Sequence, residues 1–70
     1  MSLALSTIWD YARRAASPAP QSRTELYARA YEELHQIVKR PLTESERGTL
    51  HAAAHAEWNR LTNPKPKGAA

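Results

Sequence analysis

Two short stretches, Ser22-Arg-Thr-Glu25 and Thr43-Glu-Ser-Glu46, constrain the fold of this chain more than any other feature in it. Each sets a hydroxyl residue three places ahead of a carboxylate. That is a capping box, in which side chains satisfy the orphan amides of a first helical turn while the acid lies at the positive helix end. Two helix starts are therefore written into the sequence, and both are followed by apolar residues at helical spacing.

After Ser22 the apolar positions are 26, 27, 30, 31, 34, 37 and 38. At 100° per residue they cover an arc of roughly 140°. Charged residues from Arg29 to Arg40 take the other side, and Pro41 stops the run, so the second helix is expected over Arg23 to Lys39. After Thr43 a narrower stripe of Leu50, Ala54, Trp58 and Leu61 predicts a third helix from Glu44 to Thr62, ended by Asn63-Pro64. A weaker stripe of Leu5, Ile8, Trp9, Ala12 and Ala16 predicts a first helix from Leu3 to Ala16. Between it and the second helix, Pro18 and Pro20 suggest an extended linker.

The expected architecture is all-α, a small three-helix bundle. Short connections make helices two and three a long antiparallel hairpin, against which the first helix lays Leu5, Ile8 and Trp9. Residues 1–63 form the single domain and residues 64–70 a flexible basic tail. No internal repeat and no strand pattern is present. Both tryptophans are expected in the core, and Gly48 is expected to mark close approach of another backbone.

Seventy residues bury only ~60% of the surface the unfolded chain exposes, so help from a protein partner or a second copy is expected. The sequence holds no cysteine, which removes disulfides, thiolate nucleophiles and cysteine-based metal sites and fits a reducing cytoplasm. Its longest apolar run, near Leu3 to Ile8, is far too short to cross a bilayer, so neither a signal peptide nor a membrane anchor is expected.

The formal net charge of +3 and the isoelectric point near 9.7 invite a nucleic-acid reading. By segment, however, the charge is +1 over residues 1–20, +1 over 21–41, −1 over 42–63 and +2 on the tail. The excess sits on Lys65 and Lys67, and the body is nearly balanced. A helix-turn-helix would need a recognition helix free of acids at its start, whereas this one opens with Glu44 and Glu46. The alternative is a small basic regulator binding DNA or RNA by diffuse contacts from Arg13, Arg14, Arg23, Lys39, Arg40, Lys65 and Lys67.

His51 and His55 stand four apart, the spacing with which two imidazoles share a metal ion on one helix face. No glutamate adjoins the first of them to act as a base, and only His35 and Glu57 offer further ligands, so neither a metal nor a cofactor is expected. The chain lacks a glycine-rich phosphate loop, a nucleophile elbow and a triad-like order, and its carboxylates read as helix caps and solvated charge. Catalysis is not expected. The aromatic residues are Trp9, Trp58, Tyr11, Tyr27 and Tyr31. Tyr11 and Tyr31 lie at the edges of their stripes and, with Arg47, His51 and His55 on the flank of the third helix, form the candidate protein-binding set.

The stretch Leu42-Thr-Glu-Ser-Glu46, with Ala52-Ala53 and Leu61-Thr62 beyond it, resembles the third-helix region of the Hha/YmoA family of small bacterial regulators. The resemblance implies an all-helical protein of this size that binds nucleoid-structuring proteins and modulates gene silencing. The longer second helix, the Pro18 and Pro20 linker and the Lys-Pro tail depart from that pattern, and no functional residue is carried across. The leading expectation is a non-catalytic protein-binding regulator or inhibitor, acting through a helical surface and compatible with a bacterial or phage origin.

Overall fold

A computed structural model describes residues 3–63, so Lys65, Lys67 and the expected tail lie outside the described residues. Three helices make up the fold: α1 (Leu5–Ala15), α2 (Arg23–Val38) and α3 (Glu44–Thr62). The Thr43–Glu46 capping box forms in full, whereas at Ser22 only half of the expected box forms, because the Glu25 carboxylate accepts from the Gln21 amide at 3.1 Å instead of from the N-cap amide. Ser22 accepts from the Glu25 amide at 3.1 Å. Thr43 accepts from the Glu46 amide at 3.1 Å while the Glu46 carboxylate accepts from the Thr43 amide at 2.8 Å.

The helices alternate in direction. Between α2 and α3, Arg23 meets His55 and Tyr27 meets His51, so one index rises as the other falls and the pair is antiparallel. Between α1 and α3, Leu3 meets Glu46 and Arg13 meets Glu57, so these two run parallel. The core is aliphatic. Ile8, Leu26, Leu34, Leu42 and Leu50 are fully buried, and six alanines (Ala12, Ala15, Ala16, Ala30, Ala53 and Ala54) let the helices approach closely.

Several expectations need correction. Helix α1 is shorter than Leu3 to Ala16, because Ala4 supplies no capping side chain and takes an extended conformation at ψ 150°. The chain ahead of it crosses to α3, where the Leu3 amide donates to Glu46 Oε2 at 3.1 Å. Leu3 consequently packs on the core, and Leu5 is left 65% exposed instead of buried. Helix α2 ends at Val38. Lys39 adopts the left-handed conformation at φ 57°, its amide closing on the His35 carbonyl at 2.7 Å.

The tryptophans form a collar, not the centre: Trp9 and Trp58 are half-buried against the aliphatic cluster. The linker is bent instead of extended, with a cis peptide between Ser17 and Pro18. The Arg29 guanidinium holds it by donating to the carbonyls of Ala15 at 3.1 Å and Pro18 at 2.6 Å. No backbone crowds Gly48, since a Cβ placed there meets nothing within 4 Å.

The reading of the carboxylates as caps or solvated charge holds for Glu46 as a cap, but fails for Glu57, and neither of the two is solvated. Glu46 and Glu57 are both buried, at 6% and 5% exposure, on the core side of α3 with Leu50 and Ala53. Burial of a charge demands partners, and each has them. Glu46 receives both Arg40 terminal nitrogens at 2.9 Å, plus the amides of Thr43 and Leu3. One carboxylate thus ties together the α2–α3 turn, the start of α3 and the segment leading into α1. Those donors, Arg40 first and the Thr43 amide next, hold the Glu46 carboxyl far below the usual carboxylate range against the opposing effect of burial. Glu57 accepts from Arg60 at 2.6 Å and lies 3.8 Å from Arg13 on α1.

Candidate functional site

Antiparallel packing of α2 on α3 brings one side-chain row of each helix to a common groove. On α2 the row is Arg23, Tyr27, Tyr31 and His35, at intervals of four that keep one face of a helix. On α3 it is Arg47, His51 and His55. The rows interlock by flat contacts: Tyr27 stacks on His51 with ring centres 4.2 Å apart and planes at 25°. Tyr31 lies 6.0 Å from Tyr27 and 6.2 Å from His35, extending the aromatic row along α2.

The groove is anchored at both ends. At one, Arg23 Nη1 is 3.4 Å from His55 Nδ1. On the other side of the ring, Asn59 Nδ2 lies 3.2 Å from His55 Nε2. At the other end Leu42 is gripped twice, its amide donating to the Tyr31 hydroxyl at 3.3 Å and its carbonyl accepting from Arg47 at 2.7 Å. Between the anchors is a cavity of about 100 Å³ lined by Arg23, Thr24, Tyr27, His51 and Ala54. Burial pushes the Tyr27 hydroxyl up from its ordinary pKa, with Arg47 pulling the other way. That hydroxyl makes no hydrogen bond among the described residues.

The cations divide into paired and unpaired sets. Arg13 and Arg60 pair with Glu57, Arg29 pairs with Glu25 at 2.8 Å, and Arg40 pairs with Glu46. Among the described residues Arg14, Arg23, Lys39 and Arg47 have no carboxylate within ion-pairing distance, and of these Arg23 and Arg47 share the groove. The groove therefore offers two unneutralised guanidiniums flanking aromatic and imidazole rings, a combination suited to holding carboxylates or phosphates against a flat surface.

Of the five residues singled out for protein binding, Tyr31, Arg47, His51 and His55 meet here. Tyr11 does not join them: it lies on α1 with the Arg14 guanidinium 4.7 Å from its ring centre. The basic residues considered for nucleic acid are scattered. Arg13 and Arg14 lie on α1, Arg40 is held by Glu46, and Arg23 and Lys39 stand at opposite ends of α2, about 24 Å apart along its axis.

Sequence reasoning missed Tyr27 and Thr24 as surface-forming residues and assigned Arg23 to the other set. The four-residue interval from Arg23 to His35, set against an antiparallel α3, was the signal that could have joined them. Among the described residues no three histidine or carboxylate side chains cluster to hold a metal ion, and no helix is long and apolar enough to cross a membrane. Comparison with protein-family models, curated proteins and solved structures finds no match for this chain.

Proposed function

We propose that this protein is a non-catalytic, protein-binding regulator or inhibitor whose working surface is the α2–α3 groove. The observation that carries the reading is the convergence of Arg23, Tyr27, Tyr31, Arg47, His51 and His55 on one face, with both arginines unneutralised. Tyrosine and arginine dominate binding energy at protein interfaces because they combine broad contact area with few rotatable bonds or a rigid donor fork. A regulatory role is the economical one for a bundle that presents an interaction face on so small a core. The likeness to the Hha/YmoA family leans the same way, although Thr43 and Glu46, which help carry it, are also the residues of a helix cap.

Nucleic-acid binding is the second reading, and the exposed Arg13, Arg14, Arg23 and Lys39 are what favour it. Affinity capture from the native host, eluted in rising salt and analysed for protein and nucleic acid, separates the two. The full chain is compared with Tyr27→Ala/Arg47→Ala on the groove and Arg13→Ala/Arg14→Ala on α1. A protein retained by the full chain and the α1 variant but lost by the groove variant is the expected result. Equal retention by both variants sinks the reading, and nucleic acid eluting steeply with salt, lost most from the α1 variant, replaces it with the second.

A further inference from the structure

We infer that the groove seats an extended acidic segment of a partner protein, with one carboxylate entering the cavity between Arg23 and His51. This deepens the function proposed above and rests on it. Three features of the groove converge on that occupant.

The first is size. The cavity, at about 100 Å³, has room for a carboxylate group. The second is the chemistry of its lining. The Arg23 guanidinium presents a planar fork that matches a carboxylate in two parallel hydrogen bonds, and the Tyr27 hydroxyl beside it is without a partner among the described residues. The hold of Arg23 on His55 is long, at 3.4 Å, and is easily exchanged for a charged acceptor. His51, stacked flat on Tyr27, closes the opposite wall with its ring edge exposed.

The third is the position of the second cation. Arg47 lies across from Tyr31, two turns from Arg23 along α2, or about 12 Å. An extended chain advances about 3.3 Å per residue, so acidic residues three or four positions apart reach both guanidiniums. Nucleic acid fits less well. It needs a continuous run of cations along a regular phosphate lattice, whereas here Arg13, Arg29, Arg40 and Arg60 are each paired with a carboxylate.

The test titrates the full chain with a hexaglutamate peptide, following backbone amide and arginine side-chain NMR shifts, with oligo(dT) and inorganic phosphate as parallel probes. Saturable shifts at Arg23, Thr24, Tyr27, Arg47 and His51 are expected. Arg23→Gln should weaken binding about tenfold, the worth of one charge-assisted pair, with Arg47→Lys as a second variant that keeps the charge but loses the fork and binds less tightly. Arg14→Gln on α1 should leave it unchanged. An unmoved groove, or equal loss from Arg14→Gln, overturns the inference, as does oligo(dT) binding the same residues more tightly than the peptide. Phosphate binding without peptide binding also overturns it. If capture yields a groove-dependent partner while hexaglutamate leaves the groove unmoved, the acidic segment is wrong and the protein-binding function stands. If capture depends on no groove residue, it is the function that falls.

Discussion

Leu5 and Leu50 are the same side chain at opposite extremes of burial, 65% exposed against 0%, and truncating each to alanine probes the packing register directly. Full burial of a leucine is worth about 1.5–3 kcal/mol of transfer free energy, and the cavity left in a tight core raises the cost of Leu→Ala to about 2–5 kcal/mol. Leu50 belongs to a core cluster in which six of the eleven buried residues are alanines, which have no side-chain length with which to fill a void, so Leu50→Ala is expected to cost about 3 kcal/mol. Leu5 retains only about a third of its burial, so Leu5→Ala forfeits about 0.5 kcal/mol, part of which the better helix propensity of alanine returns. The total stability of a domain this size is on the order of 3–10 kcal/mol, which makes the first change severe and the second nearly silent. Urea melts followed by far-ultraviolet circular dichroism read both: the midpoint should fall sharply for Leu50→Ala and barely move for Leu5→Ala, with the slope unchanged. Equal losses would mean that α1 starts earlier and turns Leu5 inward, refuting the crossing of Leu3 to Glu46.

Three further outcomes follow from individual side chains. Gly48→Ala should stabilise the chain by about 1 kcal/mol, because the added methyl meets nothing within 4 Å and a mid-helix glycine loses backbone entropy; a lower melting temperature contradicts it. The Glu46 carboxyl is held below its ordinary value of 4.5, so its contribution is complete above that pH and drains away as the pH falls through it. Melting temperatures between pH 7 and pH 2 should therefore drop below about pH 4.5, and Glu46→Gln should be less stable at neutral pH with a flatter acid limb. Glu57→Leu is expected to be neutral or to stabilise by up to about 2 kcal/mol in denaturant melts, since its arginine partners are 69% and 59% exposed and water takes them back readily. A loss of 3 kcal/mol or more would show that the Arg13–Glu57–Arg60 cluster holds α1 to α3.

Much of the fold is legible in the sequence for local reasons. Ser22 with Glu25 and Thr43 with Glu46 specify helix starts by chemistry that needs nothing beyond four residues, and the starts of α2 and α3 fall where that chemistry puts them. Helix α1 has no such device, and its first turn was displaced by a tertiary bond from Leu3 to a carboxylate forty-three residues away. Burial of Glu46 and Glu57 is invisible to a count of oily positions. Both stand on the inward side of α3, so that helix shows little contrast between its faces even though one of them is core.

Leu42 reads as a loop residue and is fully buried, because the turn folds under Tyr31 and Arg47. The groove was half legible. Residues four apart on each helix declare a shared face, but which face of α2 meets which face of α3 depends on the crossing of two helices, and single-helix periodicity carries no information about that. Tyr27 is the instructive residue: it belongs to the apolar arc of α2, but the arc is wider than the buried strip, and Tyr27 is partly buried with its ring stacked on His51.

The most direct measurement of the central claim is a backbone amide shift map of the full chain as its captured protein partner is added. Changes confined to residues 23–35 of α2 and 47–55 of α3, with Arg13 and Arg14 on α1 unmoved, are the expected result. Changes centred on α1, or spread over every exposed arginine alike, would contradict it.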